Sequence, residues 1–489
     1  MLWTIFFLLN GLLILVLLYS ARTRQKNEPP LDKGFLPWLG HALEFGKDAA
    51  KFLSRMKDRH GDIFTVRVAG KYVTVLLDPN SFDGVMNDTV CLDFTRSRNQ
   101  VIQRIFSLQL PSIKPSAERQ WMEQHFQGLN LSKLCGSMNS NLQKLLLSDQ
   151  SGCSPSEWRQ DGLFNLCYSL LFRAGYLTLF EKRDNATEVY NEFRKFDDLL
   201  AKLARCSLRR DESKTAKLSR ERLWELLTPE CLRGNSESNS WQQSYHHFLQ
   251  KEGIDAEMQK KALLLQLWTT QCNAGPAAFW LLGFLLTHPE AMEAVKSEIR
   301  GLTQQDTSLQ RPPINPLEAH STPVLDSVLS ETLRLTAAVM IRREVVLDKV
   351  LQMANGQEYH LRRGDMVCLF PFLSPQMDPQ IHQEPQIFKY DRFLTDRKMK
   401  DTFYKDGKRL KYYTMPWGAG SNICVGKEFA VTAIKQFVIL LLTHLDLEMC
   451  DPEDKLPLVN TSRWLRDAAA GRRPAGPAPT KEQFDILII

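Results

Sequence analysis

Residues 262–286 read ALLLQLWTTQCNAGPAAFWLLGFLL, 25 positions without one charge. A helix that is apolar all round has two homes: a bilayer, or the interior of a domain large enough to bury it on every side. A span needs roughly 17–25 apolar residues, so length alone admits the first home. The centre argues for the second, because Thr269, Thr270, Gln271, Cys272 and Asn273 stand just before Pro276. Proline removes one backbone hydrogen bond and kinks a helix. A kink beside polar side chains suits a cofactor or ligand pocket, so this segment is expected to be the buried spine of one large domain.

The rest of the chain is consistent with such a domain. Its 489 residues are 43% hydrophobic and 24% charged, a composition that excludes disorder and collagen-like or low-complexity scaffolds. Lys and Arg number 62 against 56 Asp and Glu, a net +6 that no single basic face collects. Nucleic acid is therefore not an expected partner. Ten cysteines without a C-x-x-C spacing fit neither a disulfide scaffold nor a structural zinc site, and point to a reducing compartment.

Leu2 to Leu18 (LWTIFFLLNGLLILVLL) is uncharged and precedes Arg22, Arg24 and Lys26. A secretory signal would start basic and have a shorter apolar run. Residues 1–20 are thus expected to be an uncleaved membrane anchor, with the positive charges keeping the body of the chain cytosolic. Residues 21–30, ending in Glu28-Pro29-Pro30, form a stiff basic hinge. His60 to Pro79 holds two β-rich runs around Ala69-Gly70-Lys71, a hairpin signal. From about 120 to 300 the pattern is mostly helical. The charged stretch Arg205–Arg222 reads as a solvated loop and helix face, with contact to a membrane a lesser reading. No linker divides residues 31–464. Residues 465–489 form an Ala-, Pro- and Gly-rich tail whose FDILII end is an exposed apolar hazard if nothing covers it.

Two places carry chemistry. Pro416 to Gly426 reads PWGAGSNICVG, with Cys424 among Gly418, Gly420 and Gly426 and just ahead of a helical run. Glycines let backbone approach a flat ligand, and a helix N-terminus favours thiolate over thiol. An electron-rich thiolate is a suitable axial ligand for haem iron; a Gly-rich loop with an inert buried cysteine is the plainer alternative. Upstream, Glu331 and Arg334 share a helix face at i, i+3, and Arg392 lies in a Pro-rich stretch (FKYDRF). Such a Glu–Arg–Arg network can pin a helix to the loop bearing a cofactor ligand.

In this order and spacing, from about Glu28 to Trp464, the set resembles the cytochrome P-450 superfamily of haem-thiolate enzymes. The resemblance implies a mainly α fold with small β-sheets (α+β), preceded by one N-terminal transmembrane helix. It implies haem b with Cys424 as the axial iron ligand, and Glu331, Arg334 and Arg392 as a structural triad. Trp417, Gly420 and Asn422 would lie beside the haem, in a single-pass protein of the endoplasmic reticulum with a cytosolic catalytic domain. A two-span membrane protein, in which Cys424 is merely structural, remains the weakest alternative and predicts no haem.

Departures from the oxygen-activating members sharpen the expectation. Most of those carry an acid–threonine pair where this chain has Cys272-Asn273, with Thr270 a turn away. Asn422 replaces a basic residue that pairs a haem propionate, and Trp417 replaces phenylalanine. The stretches EPPLDKGFLPWLGHALEFGKDAAKFL, TPVLDSVLSETLRLTAA and FYKDGKRLKYYTMPWGAGSNICVG are most similar to the branch that isomerises prostaglandin H2 to prostacyclin. The sterol 12-hydroxylases share the EPPLDKG and FKYDRF segments. The resemblance thus implies an isomerase that takes a substrate with its own O–O bond and needs no O2, NADPH or reductase. A sterol or lipid monooxygenase served by an NADPH-dependent reductase is the alternative.

By the same resemblance Asn273 would contact the endoperoxide over the distal haem face, unless it serves the carbonyls freed by the kink. Trp268 is a pocket or core residue, and Arg104 and Leu110 lie in the segment that covers the haem. Arg342 and Arg343 would line the pocket, lie on the surface, or pair a propionate. Trp121 and His125 keep the spacing of a propionate-binding W-x-x-x-R pattern, with histidine for arginine. After Trp464 the chain lacks the Gly-Phe-Gly and β-rich ending of the family.

Overall fold

The computed structural model describes residues 2–19, 23–109, 115–150, 158–180, 185–228, 241–307, 322–451, 456 and 485–488. The helices among them are α1 (Leu2–Tyr19), α2 (Ala42–Lys47), α3 (Ala49–His60), α4 (Asp83–Met86), α5 (Thr95–Phe106), α6 (Pro115–His125), α7 (Gly128–Gln150), α8 (Leu163–Leu179), α9 (Ala186–Asp197), α10 (Leu200–Ala204), α11 (Arg210–Leu227), α12 (Trp241–Lys251), α13 (Ala256–Gln271), α14 (Ala274–Thr287), α15 (Pro289–Thr307), α16 (Pro323–Thr336) and α17 (Lys427–His444). The strands are short: β1 (Leu31–Asp32), β2 (Ile63–Val68), β3 (Lys71–Leu76), β4 (Leu92–Asp93), β5 (Arg159–Gly162), β6 (Ile341–Val345), β7 (Lys349–Gln352), β8 (Glu358–Leu361), β9 (Met366–Leu369), β10 (Leu394–Thr395), β11 (Lys398–Met399), β12 (Tyr404–Lys405), β13 (Lys408–Arg409), β14 (Leu447–Met449) and β15 (Asp485–Ile488). The architecture is the expected mainly α fold with small sheets.

The uncharged spine is buried inside the protein and is split in two. Pro276 has no N–H to offer the carbonyl of Cys272 four residues back, so the break falls at Cys272-Asn273, between α13 and α14. Leu263 to Leu267 and Ala278 to Leu282 are buried in the main core. The spine meets α8 at two glycines. A Cβ on Gly275 would lie 2.7 Å from the Tyr168 Cα, and one on Gly175 would collide with Oε1 of Gln271. These approaches set the depth at which the broken helix sits.

A six-stranded sheet of order β1-β2-β3-β9-β6-β4 flanks the helices. The β2–β3 hairpin turns at Ala69 (φ 48°) and Gly70 (φ 77°), both left-handed, as a two-residue hairpin that matches strand twist requires. The hinge is clamped to this sheet region. The Thr65 N–H donates to Pro30 O at 2.7 Å, and the His360 N–H donates to Asn27 O at 2.7 Å. Buried Glu28 accepts from Arg362 Nη2 at 2.8 Å.

Among the described residues no helix is long and apolar enough to cross a membrane, so the transmembrane helix expected at 1–20 is not shown by the fold. Leu2–Tyr19 is helical, and from Trp3 to Leu15 every side chain except Asn10 is exposed.

The FDILII end of the tail, a hazard only if left uncovered, is covered from Asp485 to Ile488. β15 is the middle strand of a three-stranded sheet, antiparallel to β14 on one side and to β5 on the other. Ile486 and Ile488 join the main core, with Ile486 0% exposed. The alternation of Ile486 and Ile488 about Leu487 is the period-2 signature of a half-buried strand, which a composition-based reading of the tail passes over. Ile486→Ala is expected to lower unfolding free energy by about 2–5 kcal/mol in a denaturant titration. A loss below about 0.5 kcal/mol would show that the strand contributes nothing to the core.

Candidate active site

The cysteine loop is shaped by two left-handed glycines, Gly418 (φ 71°) and Gly420 (φ 59°). The Gly418 N–H donates to Met415 O at 3.2 Å, and the Cys424 N–H donates to Trp417 O at 2.9 Å. A Cβ on Gly420 would stand 3.2 Å from the carbonyl oxygen of Met86, in α4. The loop runs into α17 through its N-cap Gly426. Ser421, Asn422, Ile423 and Cys424 are all exposed. Burial nevertheless pushes the Cys424 thiol above its ordinary pKa, while the Gly426 N–H and the charge of Arg119 pull it down. Alone the side chain would stay a thiol at neutral pH; a cation bound to the sulfur reverses that balance.

On the spine, Thr269 and Asn273 are exposed although the helices on either side of the break are buried. They stand at i, i+4 and so share one face. Asn273 is the N-cap of α14, yet its side chain makes no capping bond. The threonines are otherwise occupied. Thr270 Oγ1 donates to Gln266 O at 2.7 Å, and Thr269 Oγ1 to the same carbonyl at 3.1 Å. Gln266 is itself held by Glu118 of α6, donating from Nε2 at 3.1 Å. Buried Glu118 also accepts from Tyr245 of α12 and Arg98 of α5, each at 3.1 Å. Trp268 is half-buried and packs on Phe106, ring centroids 5.6 Å apart.

Arg104 is exposed and donates to Ala204 O at 3.3 Å. Leu110 lies outside the described residues. Arg342 points outward from β6, whereas its neighbour Arg343 is 4% exposed. Arg343 stacks 5.0 Å over the Phe94 ring, and its Nη2 has no hydrogen-bond partner among the described residues. Among the described residues the Asn422 carboxamide donates only to its neighbour Ser421 Oγ, at 3.3 Å.

Trp121 and His125 are turned towards α12. The Trp121 indole donates to Ser244 Oγ at 3.3 Å, and His125 Nε2 lies 2.8 Å from that hydroxyl. His125 Nδ1 is 2.9 Å from Trp121 O, so it carries the ring proton and Nε2 accepts from Ser244. Every polar atom of the pair is used there, and none is left for a propionate. The residue of α6 that does reach the cysteine loop is Arg119, which donates from Nη1 to Ile423 O at 2.9 Å. Sequence reasoning missed it. Its only signal was a second cation two positions before Trp121, and only the rotation of α6 shows which side faces the loop.

The Glu331–Arg334–Arg392 cluster is assembled around one carboxylate. Arg334 donates to Glu331 from Nε (2.7 Å) and Nη2 (2.8 Å), a two-point pair with both residues 0% exposed. Arg392 Nε lies 2.9 Å from each Glu331 oxygen. The remaining guanidinium N–H groups tie backbone down: Arg334 Nη1 donates to Gln376 O and Pro385 O, and Arg392 Nη2 to Ile387 O. Helix α16 is thereby pinned to the irregular segment that leads towards the cysteine loop.

The residues present fit a haem. An accessible sulfur heads a helix, an exposed polar face interrupts a buried spine, and Arg343 keeps a buried cationic N–H without a partner among the described residues. Known proteins point the same way. The model of the cytochrome P450 family matches residues 29–468. Prostacyclin synthase of Rattus norvegicus is 50% identical over 458 residues, covering 90% of this chain and 91% of the relative. That of Homo sapiens is 48% identical, covering 90% and 92%. A 5-beta-cholestane-3-alpha,7-alpha-diol 12-alpha-hydroxylase of Sus scrofa is 41% identical, covering 91% of each chain. The solved structure of retinoic acid bound cyanobacterial CYP120A1 shares the fold, with a TM-score of 0.70 at 19% identity over 94% of this chain and 99% of that one. With a fold, a cysteine loop and relatives that all coincide along the same stretch, the chain belongs to the cytochrome P450 family, whose members carry a thiolate-ligated haem.

Proposed function

We propose that this chain is an isomerase that converts prostaglandin H2 to prostacyclin on a haem b held by Cys424. The observation that carries the reading is its likeness to prostacyclin synthases over nine-tenths of both chains, above its likeness to the sterol hydroxylases. The site supports it. A monooxygenase must deliver protons to bound dioxygen, and this spine has none ready. The Cys272 thiol is pushed well above its ordinary value by burial, and Asn273 is no acid. The hydroxyl protons of Thr269 and Thr270 are already given to Gln266. A substrate bringing its own O–O bond removes the need for them, and for O2, NADPH and a reductase.

Bound haem would supply an iron centre at which the endoperoxide O–O bond is cleaved. The chain's part is to hold and orient. The free carboxamide of Asn273 would bind an endoperoxide oxygen, and Trp268 with Phe106 would wall the apolar chains of the substrate. Arg343 would meet a haem propionate, the role that neutral Asn422 cannot fill; the carboxylate would relieve an otherwise unpaired buried N–H. Trp417 holds Cys424 through its carbonyl, and Gly420 lets the loop pass close to α4. Glu331, Arg334 and Arg392 would form the triad that holds the loop's approach.

The domain at 31–464 would sit on the cytosolic face of the endoplasmic reticulum, anchored by residues 1–20 in the lipid bilayer. The exposed apolar side chains of α1 support this. The deciding experiment is turnover of prostaglandin H2 by the haem-loaded full chain, anaerobically and without NADPH. Prostacyclin, detected as its hydrolysis product, is the expected outcome. Conversion of sterols or lipids only with NADPH and reductase would replace this reading with a monooxygenase.

A further inference from the structure

We propose that Arg119 is a positioning residue for the cysteine ligand, pinning the Ile423–Cys424 peptide and placing a tunable positive charge behind the sulfur. The inference rests on the assignment of Cys424 as the iron ligand and goes beyond it, to what sets the strength of that ligand. Arg119 donates from Nη1 to Ile423 O at 2.9 Å, across 304 residues of sequence. The carbonyl it holds belongs to the peptide whose nitrogen is that of Cys424, and that N–H is fixed by Trp417 O. The peptide is therefore held at both ends, and the sulfur one Cβ away inherits the placement.

Arg119 can hold it because α6 cannot rotate. The preceding residue, Glu118, is buried and bound to three other helices through Arg98, Tyr245 and Gln266. Trp121 and His125 lock the same helix to Ser244 of α12. With Glu118 facing in, Arg119 faces the loop.

The charge is adjustable because Glu123, one turn on, pairs Arg119 Nε at 2.8 Å. The Arg119 guanidinium is a cation one hydrogen bond away from the peptide that carries Cys424. A cation near an axial thiolate draws electron density from it and stabilises the reduced, more negative centre. Glu123 offsets part of that effect. The two residues should therefore move the ligand's electronics in opposite directions.

The test uses haem-loaded full chain and reads the ferric–ferrous equilibrium of Arg119→Gln, Arg119→Lys and Glu123→Gln. Arg119→Gln should shift it about three- to tenfold towards ferric, or roughly 30–60 mV at about 59 mV per tenfold for one electron. Arg119→Lys should retain most of the parent value, and Glu123→Gln should shift it towards ferrous. All three should keep a thiolate-type carbon monoxide spectrum. Shifts of the same sign for Arg119→Gln and Glu123→Gln, or changes below about twofold in both, about 18 mV at the same conversion, would overturn the proposal and leave only a loop contact. A parent protein that lacks the thiolate-type spectrum would overturn the ligand assignment itself, a separate and visible failure.

Discussion

Cys424→Ala is expected to abolish prostacyclin formation, by on the order of 10⁴-fold or more, and to lose the thiolate-type carbon monoxide spectrum, while the fold survives. The reason lies in what the side chain does and does not support. Its backbone N–H bond to Trp417 O and the glycine turns that shape the loop are independent of the sulfur. The side chain is exposed, so its removal opens no cavity in the core. What disappears is the one soft anionic donor at the head of α17, and with it the electronics that the iron needs. Far-UV circular dichroism of the variant should overlay that of the parent. A variant that kept the thiolate-type spectrum would remove Cys424 from the metal site and revive its reading as structural.

Glu331→Ala should be the most destabilising single change in this part of the molecule, by about 3–5 kcal/mol, the scale for stripping one partner from a buried ion pair. Arg334 is 0% exposed and spends two N–H groups on that carboxylate. Removing it leaves a guanidinium in the core without a counter-charge, and frees Arg392 and the Lys389 N–H, which also donates to Glu331 at 3.1 Å. Domains hold only about 5–15 kcal/mol in total, so the variant should accumulate poorly and retain little haem. Adding Arg334→Met should recover part of the loss, because the unpaired charge is then gone. A Glu331→Ala protein within about 1 kcal/mol of the parent would show that the cluster is not structural.

The parts legible in sequence are those whose physics is local. An uncharged run of 25 residues must be buried or in lipid, and Pro276 must break it near Cys272, because the missing N–H lies four residues from that carbonyl. Glu331 and Arg334 meet because i, i+3 positions share a helix face. Ala69-Gly70 turns a hairpin because both residues take left-handed backbone. The glycines around Cys424 announce a tight loop before a helix in the same way.

The unreadable parts depend on pairings between distant segments. Trp121 and His125 keep a plausible spacing, but spacing fixes only which residues share a face; packing against α12 decided where that face points. Arg119 touches Ile423 only because Glu118 rotates α6 inward. The C-terminal FDILII looked like a loose end until β14 and β5, far apart in the chain but both beside β15 in space, closed on either side of it. Local sterics and hydrophobic period act within a few residues and are written in the chain's order. The choice of partner for a face, an edge or a charge is made by whichever remote surface completes its burial, and only the assembled structure contains that surface.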